Sequence, residues 1–319
     1  MRLACVGNAL WDIVSFVGDD FPSSLGYHDG STTHADIANL EPVIAALPNA
    51  YLCAGGGAAN AARVFSSLGH DAAFAGMIGS DETGQRFRVD MADFGIESFL
   101  QVSQKPTGVF CAMIAPDGTH TVLVAPGAAP FLDAAAVPAA FFRPGSTLYI
   151  DGFLASSPEA IERLVHRAKS AGMGIALDVA GSRIAAIHRD FFIELIRTSC
   201  SWTFMNEDEF MALADSGVDD ALARFSAGIP GVVVVKRAEI GAVCVSDGSV
   251  VESSVRPIRA TDTTGAGDAF AAGFLSAAIA GSSLARCLRL GNRVAEHAIQ
   301  VPGMAIDSAG LRRAADAVS

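Results

Sequence analysis

The chain has 319 residues, 51% of them hydrophobic, and carries 34 acidic against 22 basic residues for a net charge of −12. This acidic balance, without any long basic tract, argues against nucleic acid as the main partner, and no uninterrupted apolar stretch approaches the ~20 residues that a membrane helix needs. The six cysteines form no Cys-x-x-Cys pair and the N-terminus carries no secretory hydrophobic region, so we expect a cytoplasmic protein without a disulfide framework or zinc site.

In chain order, short apolar runs alternate with longer helical patterns. The runs at 3–6, 148–151, 174–178 and 231–236 are typical of strands buried in a parallel sheet. Helices are predicted at 60–68, 158–171, 207–214 and 269–280. We therefore predict an α/β fold with helices on both faces of a mostly parallel sheet. The length allows roughly two domains, or one large domain with an appendage.

Two segments interrupt this alternation. Residues 13–51 contain a long polar stretch around Gly30, and residues 99–124 alternate like a hairpin around Asp117 and Gly118. These patterns indicate a β-rich region that differs from the rest of the chain.

The stretch from Asp262 to Phe270 reads Asp-Thr-Thr-Gly-Ala-Gly-Asp-Ala-Phe, which places a glycine turn, a helix start and a carboxylate together. Glycines let the backbone turn with its amides pointing outward, and the first amides of a helix lack partners within it, so this is an anion-binding end. Asp268 is then positioned to accept a proton from an attacking hydroxyl. The alternative is that Asp268 is an ordinary acidic residue at the start of the helix, where its charge complements the helix dipole.

A second glycine cluster, Gly55-Gly56-Gly57, precedes Asn60 and the first long predicted helix. Gly56 and Gly57 permit close approach of a ligand to the backbone, while the amide of Asn60 can donate to and accept from a hydroxyl. A glycine turn followed by a helix-capping Asn is the alternative, and both can hold at once.

These motifs resemble those of the PfkB family, which includes ribokinase and adenosine kinase. The resemblance rests on the 262–270 stretch, on the Gly-Gly-x-x-x-Asn box ending at Asn60, and on Asn206-x-x-Glu209, which occur in the family's order. It implies a ribokinase-like fold, with one kinase domain over 1–319 and a small β-sheet lid contributed by about 13–52 and 99–125. The activity it implies is transfer of the γ-phosphate of ATP to a primary hydroxyl of a furanose sugar or ribonucleoside.

The resemblance also assigns roles to individual residues. Asp268 is the implied base, the amides of Gly265, Ala266 and Gly267 hold the phosphoryl group, and Glu209 and Asp262 lie at metal sites. The implied substrate ligands are Asp12, Gly56, Gly57, Asn60 and Asp151. The implied nucleotide site comprises Asn206, Lys236, Gly241, Gly265, Gly267 and Asn292.

Each assignment has a structural alternative. Asp12 and Asp151 also fit turn-forming aspartates at strand ends, and Asn206 with Glu209 fits a helix capping box. A solvent-facing helical position is the alternative for Asn292. Lys236-Arg237-Ala238 stands where the family commonly has Thr-x-Gly, so the adenine-side contacts of this chain differ from the family pattern.

The resemblance implies ATP and Mg²⁺ as cofactors, and in many relatives a monovalent cation such as K⁺ near Asp262 and residues 301–304. The expected partners are a small sugar or nucleoside and ATP, without nucleic acid or membrane, in a monomer or homodimer. A catalytically silent nucleotide- or sugar-binding regulator of the same fold is the alternative function. A dinucleotide-dependent oxidoreductase is disfavoured, because Asn60 stands where its fingerprint has a third glycine.

Overall fold

A computed structural model describes residues 1–318 of the chain. Its strands are β1 (Arg2–Val6), β2 (Leu10–Phe16), β3 (Thr32–His34), β4 (Tyr51–Gly55), β5 (Asp71–Gly79), β6 (Glu97–Ser103), β7 (Gly108–Ile114), β8 (His120–Ala125), β9 (Thr147–Asp151), β10 (Gly174–Asp178), β11 (Trp202–Asn206), β12 (Val232–Lys236), β13 (Gly241–Ser246) and β14 (Ser249–Ser254). Its α-helices are α1 (Phe21–Ser24), α2 (Ile37–Ala46), α3 (Gly57–Ser67), α4 (Glu82–Asp93), α5 (Pro158–Ser170), α6 (Ser182–Ile187), α7 (Arg189–Thr198), α8 (Glu207–Ala214), α9 (Val218–Ser226), α10 (Ala266–Ile279), α11 (Leu284–Ala298) and α12 (Ser308–Asp316).

Nine strands form a large sheet in the order β14-β13-β12-β11-β10-β9-β1-β5-β6. The seven strands from β12 to β6 are parallel, and β13 and β14 are added antiparallel at one edge. The fold therefore confirms the predicted mostly parallel α/β architecture.

Helices cover both faces of the large sheet because successive strand residues point to opposite sides. Leu3 and Cys5 of β1 belong to a core that includes residues of α3, α10 and α11. Ala4 and Val6 belong to a second core with residues of α5, α7 and α8. All five residues of β1 are buried, as expected for a strand covered on both faces.

Five strands form a second, small sheet in the order β3-β8-β7-β2-β4. The predicted lid segment 13–52 contributes strands to it but also contains α1 and α2. The predicted segment 99–125 needs a correction, because β6 pairs with β5 in the large sheet and only β7 and β8 belong to the small one. The β5-α4-β6 unit is a parallel crossover, which sets β6 beside β5.

Helix α10 begins at Ala266, three residues before the predicted start. Gly265 precedes it with a φ of 73°, a left-handed conformation that glycine adopts without strain. Gly267 and Asp268 therefore lie in the first turn of the helix. Elsewhere the predicted and observed elements agree within a few residues, and α8 spans 207–214 as predicted.

Within residues 1–318, none of the helices has the length and apolar character required to cross a bilayer. The six cysteines are all buried and unpaired, in keeping with the expected reduced core residues.

Candidate active site

Four neighbouring parallel strands end in polar residues at one edge of the large sheet. β9 ends at Asp151, β10 at Asp178, β11 at Asn206 and β12 at Lys236. Asp178 is in register with Asp151, and Asn206 with Lys236. Ligands of open α/β sheets bind outside the carboxyl ends of such strands, so this edge is the place where the chain brings its polar side chains together.

A cavity of about 670 Å³ opens at this edge. Fourteen of the fifteen residues predicted for the site line it, and only Asp262 does not. The fourteen are Asp12, Gly56, Gly57, Asn60, Asp151, Asn206, Glu209, Lys236, Gly241, Gly265, Ala266, Gly267, Asp268 and Asn292. The predicted residues therefore surround a single space, although they come from distant parts of the chain.

The start of α10 presents backbone amides to this cavity. Gly265 is the residue before the helix and no side chain caps the helix start. The amide of Ala266 donates to the Thr263 carbonyl at 3.2 Å, so this one of the three predicted amides already has a partner within the turn. No such bond is found, among the described residues, for the amides of Gly265 and Gly267, which leaves these two for an anion.

Asp268 lies in the first turn of α10 and is half-buried. Its Oδ2 accepts a hydrogen bond from Asn60 Nδ2 at 3.1 Å. Burial raises the pKa of Asp268 well above its ordinary value, and the charge of Asp178 raises it further, while Asn60 and Lys236 oppose the shift. A carboxylate with a raised pKa has a higher proton affinity, which suits a general base.

Asp12, on β2 of the small sheet, is almost completely buried. Burial raises its pKa to about 7, although the Arg63 guanidinium opposes the shift. Any side chain at Gly55 would overlap the Asp12 carboxyl group, so glycine is required beside it.

Among the predicted substrate ligands, three buried oxygen atoms have no hydrogen-bond partner: Oδ1 of Asp12, Oδ1 of Asn60 and Oδ2 of Asp151. Oγ1 of Thr264, in the glycine turn, is a fourth such atom of the cavity lining. The other oxygen of Asp151 accepts from the Phe153 amide at 2.9 Å, so the predicted turn is present as well. Burial raises the pKa of Asp151 to about 6. Buried acceptors without donors are costly in a folded protein, and a ligand with several hydroxyl groups would satisfy them.

Asn206 and Glu209 form the capping box that was the structural alternative for this pair. Asn206 Oδ1 accepts from the Glu209 amide at 2.8 Å, and Glu209 Oε2 accepts from the Asn206 amide at 2.8 Å. Glu209 is buried, which raises its pKa to about 7. The capping role is therefore established by geometry, whereas the metal role stays a prediction.

Two residues predicted for the nucleotide, Asn292 and Gly241, line the end of the cavity beside β14. Asn292 is buried rather than solvent-facing, and its Nδ2 donates to the carbonyl and hydroxyl oxygens of Ser253 at 3.0 and 3.1 Å. Gly241 has a φ of 115°, and a side chain there would overlap the Ser253 carbonyl. Exposed residues of the 255–258 loop complete this end.

Asp262 lies behind the glycine turn instead of in the cavity. Its Oδ1 accepts from the Thr264 amide at 2.8 Å and its Oδ2 from the Gly303 amide at 2.7 Å, while His120 Nε2 is 3.6 Å from Oδ1. Asp262 therefore ties the turn to residues 302–304. Within residues 1–318 no group of three or more His, Cys, Asp or Glu side chains is arranged to hold a metal ion.

Sequence reasoning missed several cavity residues. Asp178 accepts from Lys236 Nζ at 2.8 Å, and Tyr149, Phe110 and Phe153 supply aromatic surface. Asp178 had a detectable signal, because it ends a predicted strand just as Asp151 does. The aromatic residues had none, since only the tertiary structure brings them to the cavity.

Comparison with known proteins places this site in a family. The model of the pfkB family carbohydrate kinases matches residues 35–309. The chain belongs to the pfkB family. A nucleoside kinase of Methanothermobacter thermautotrophicus is 27% identical over 303 residues, which cover 94% of this chain and 90% of that protein.

Two solved structures share both fold and length with this pfkB-family chain. A probable sugar kinase from Rhizobium etli superposes with a TM-score of 0.89 at 28% identity, over 99% of this chain and 97% of the other. The adenosine kinase from Sinorhizobium meliloti superposes with a TM-score of 0.87 at 27% identity, over 100% and 99%. The protein is a kinase of the ribokinase-like fold, a phosphotransferase with an alcohol group as acceptor.

Proposed function

We propose that this kinase transfers the γ-phosphate of ATP to a primary hydroxyl of an uncharged furanose compound, either a sugar or a ribonucleoside. The observation that carries the proposal is the set of three unpartnered oxygens on Asp12, Asn60 and Asp151 beside Asp268. Sugar hydroxyls donate hydrogen bonds, and charged or amide acceptors in a buried site bind them with specificity.

The charges of the cavity favour a neutral acceptor over a phosphorylated one. Lys236 and Arg256 are the only lysine or arginine residues that line the cavity within the described chain. Lys236 is already paired with Asp178, and Arg256 belongs to the exposed loop at the nucleotide end. A phosphate group on the acceptor would therefore meet the carboxyl groups of Asp12 and Asp151 without a cation to offset them.

Aromatic surface favours a ribonucleoside over a free sugar. Phe110 on the small sheet and Phe153 after β9 both line the cavity, and Phe153 is 47% exposed. Aromatic rings offer flat apolar faces on which a nucleobase can stack. The related nucleoside kinase and adenosine kinase support the same choice.

In the proposed reaction, Asp268 accepts the proton of the attacking hydroxyl while the hydroxyl oxygen bonds to the γ-phosphorus and ADP leaves. The amides of Gly265 and Gly267, with the start of α10, stabilise the transferring phosphoryl group. The Lys236 ammonium lies against Gly267 and adds positive charge there. The small sheet would act as a lid, because Asp12 on β2 binds the acceptor and closure excludes competing water.

Glu209 would offer a carboxylate toward the phosphate side, which fits Mg²⁺, an ion that commonly binds one or two carboxylates together with phosphate oxygens and water. The ion would neutralise charge on the phosphates. A monovalent cation near Asp262 would depend on backbone carbonyls, since both oxygens of that carboxylate already accept amide hydrogen bonds.

The test is ADP release from MgATP with ribose, fructose, adenosine, inosine, guanosine and ribose 1-phosphate as acceptors. We expect a neutral nucleoside or sugar to stimulate release and ribose 1-phosphate to be the poorest acceptor. Absence of stimulation by every neutral compound, or fastest release with ribose 1-phosphate, would contradict the proposal. The alternative of a silent regulator predicts binding of both ligands without acceptor-dependent ADP release.

A further inference from the structure

Asp178 is fixed at the end of β10 by three donors. Its Oδ2 accepts from Lys236 Nζ at 2.8 Å and from the Tyr149 hydroxyl at 3.3 Å, and its Oδ1 accepts from the Ala180 amide at 3.1 Å. The side chain is 4% exposed. A buried carboxylate held in this way has little freedom, so the ammonium that it binds is held in place as well.

The Lys236 ammonium lies between Asp178 and the start of α10. A β-carbon on Gly267 would be 3.0 Å from Lys236 Nζ, so the ammonium rests against the turn assigned to the phosphoryl group. Among residues 1–318, Asp178 is the only carboxylate within 4.0 Å of this ammonium. Asp268 follows Gly267 directly, and Lys236 is close enough to lower the pKa of Asp268.

Besides Asp178, the carboxylates of Glu209 and Asp268 both act on the charge of this ammonium. Pairing with Asp178 and pairing with Asp268 have opposite consequences for the base. Paired with Asp178, the ammonium stays against Gly267 and leaves the Asp268 carboxylate free. Paired with Asp268, it would reduce the proton affinity of the base and would move away from the phosphoryl position.

We propose that Asp178 is a positioning residue for phosphoryl transfer, which holds the Lys236 ammonium at the start of α10 and away from Asp268. The inference rests on the proposed function, because that function assigns the phosphoryl group to this turn. Asp178 acts through Lys236 and takes no proton from the acceptor.

A double-mutant cycle tests this role, with Asp178→Asn, Lys236→Gln and the double variant compared with the wild type. Asp178→Asn should lower kcat about 10- to 100-fold, the loss expected when a catalytic group is misplaced, and change the KM values for ATP and acceptor by less than about 3-fold. In the Lys236→Gln background, the same substitution should change kcat by less than about 3-fold, because the ammonium that it positions is absent.

Asp190→Asn is the matched control, because it makes the same substitution at a carboxylate that is 98% exposed on α7, away from the cavity. It should retain kcat within about 3-fold. Melting temperatures of all variants identify loss of folding, and Asp178→Ser replaces Asp178→Asn in the cycle if the latter does not fold.

Equal losses of kcat from Asp178→Asn in both backgrounds would overturn the inference, since Asp178 would then act independently of Lys236. A loss confined to KM would overturn it too. Failure of the proposed function is a different result, namely a folded wild-type protein that releases no ADP in response to any acceptor.

Discussion

The proposed acceptor end of the cavity and its proposed nucleotide end differ in how they are built. The acceptor end consists of buried side chains, with Asp12, Asn60 and Asp151 each carrying an oxygen without a partner. The nucleotide end consists largely of an exposed loop and of backbone held by Asn292. The acceptor end is therefore specified by side-chain chemistry, whereas the nucleotide end is specified by backbone shape.

The largest expected effect is at the boundary between the two ends. Asp268→Asn should lower kcat about 10²- to 10⁴-fold, because it removes the proton acceptor while preserving shape, and should leave ATP affinity unchanged. Steady-state kinetics and ATP titration measure both. Asp190→Asn is the control, since the Asp190 side chain is 98% exposed on α7. Near-normal turnover of Asp268→Asn would contradict the role of general base. Asp268 would then only complement the helix dipole in the first turn of α10.

Gly57→Ala tests the tight packing of the acceptor end. The added methyl would lie 3.1 Å from Asp268 Oδ1 and 3.4 Å from Asp151 Oδ2, so we expect kcat/KM for the acceptor to fall about 10-fold or more. Because Gly57 opens α3, alanine should not lower the melting temperature. Gly217→Ala, with no atom within 4 Å of its added carbon, is the control. Unchanged kinetics would show that the acceptor end can accommodate the added methyl group.

Glu209→Gln separates capping from a metal role. Gln still serves as the third helical residue of a capping box, so stability should change by less than about 1 kcal/mol. Activity should fall several-fold and recover partly at higher Mg²⁺ concentration, because the negative charge is lost. Glu82→Gln, in the exposed first turn of α4, is the control. If melting temperature and magnesium dependence both match the wild type, the metal assignment should be withdrawn.

Asp12→Asn tests how much the buried Asp12 carboxylate lowers the free energy of unfolding. The folded-state pKa of Asp12 is raised from 3.8 to about 7, so the folded state binds the extra proton between these values and stability falls as pH rises through this window. Asn carries no charge, so we expect the free energy of unfolding of the variant to exceed that of the wild type by about 1–3 kcal/mol at pH 8. The difference should be smaller at pH 5. Denaturant titration at the two pH values measures the free energy of unfolding. A stabilisation by Asp12→Asn that is larger at pH 5 than at pH 8 would contradict the expected pH dependence.

The sequence predicted residues at both ends of the cavity, and Asp262 alone of the predicted site residues does not line it. Asp12, Asn60 and Asp268 are side chains in motifs, and all three line the cavity. Asp178 could have been proposed from its place at the end of a predicted strand, but its pairing with Lys236, 58 positions away, could not, because no local motif joins them.

One error of the sequence prediction has a tertiary cause. Residues 99–124 are predicted as one β-rich region, and only the pairing of β6 with β5 decides that β6 belongs to the large sheet. The hydrogen bond from the Ala266 amide to the Thr263 carbonyl depends on the left-handed conformation of Gly265. Glycine permits this conformation but does not require it, so the sequence could not predict the bond.

The most direct test of the two-ended cavity is equilibrium binding of both ligands to Asp12→Ala and Asn292→Ala. Asp12→Ala should weaken the acceptor about 10-fold or more, because hydrogen bonds to a charged group are lost, and leave ATP within about 2-fold. Asn292→Ala should weaken ATP about 2- to 10-fold and leave the acceptor unchanged, because the backbone at Ser253 loses its support. The account is contradicted if Asp12→Ala weakens ATP while acceptor affinity is retained.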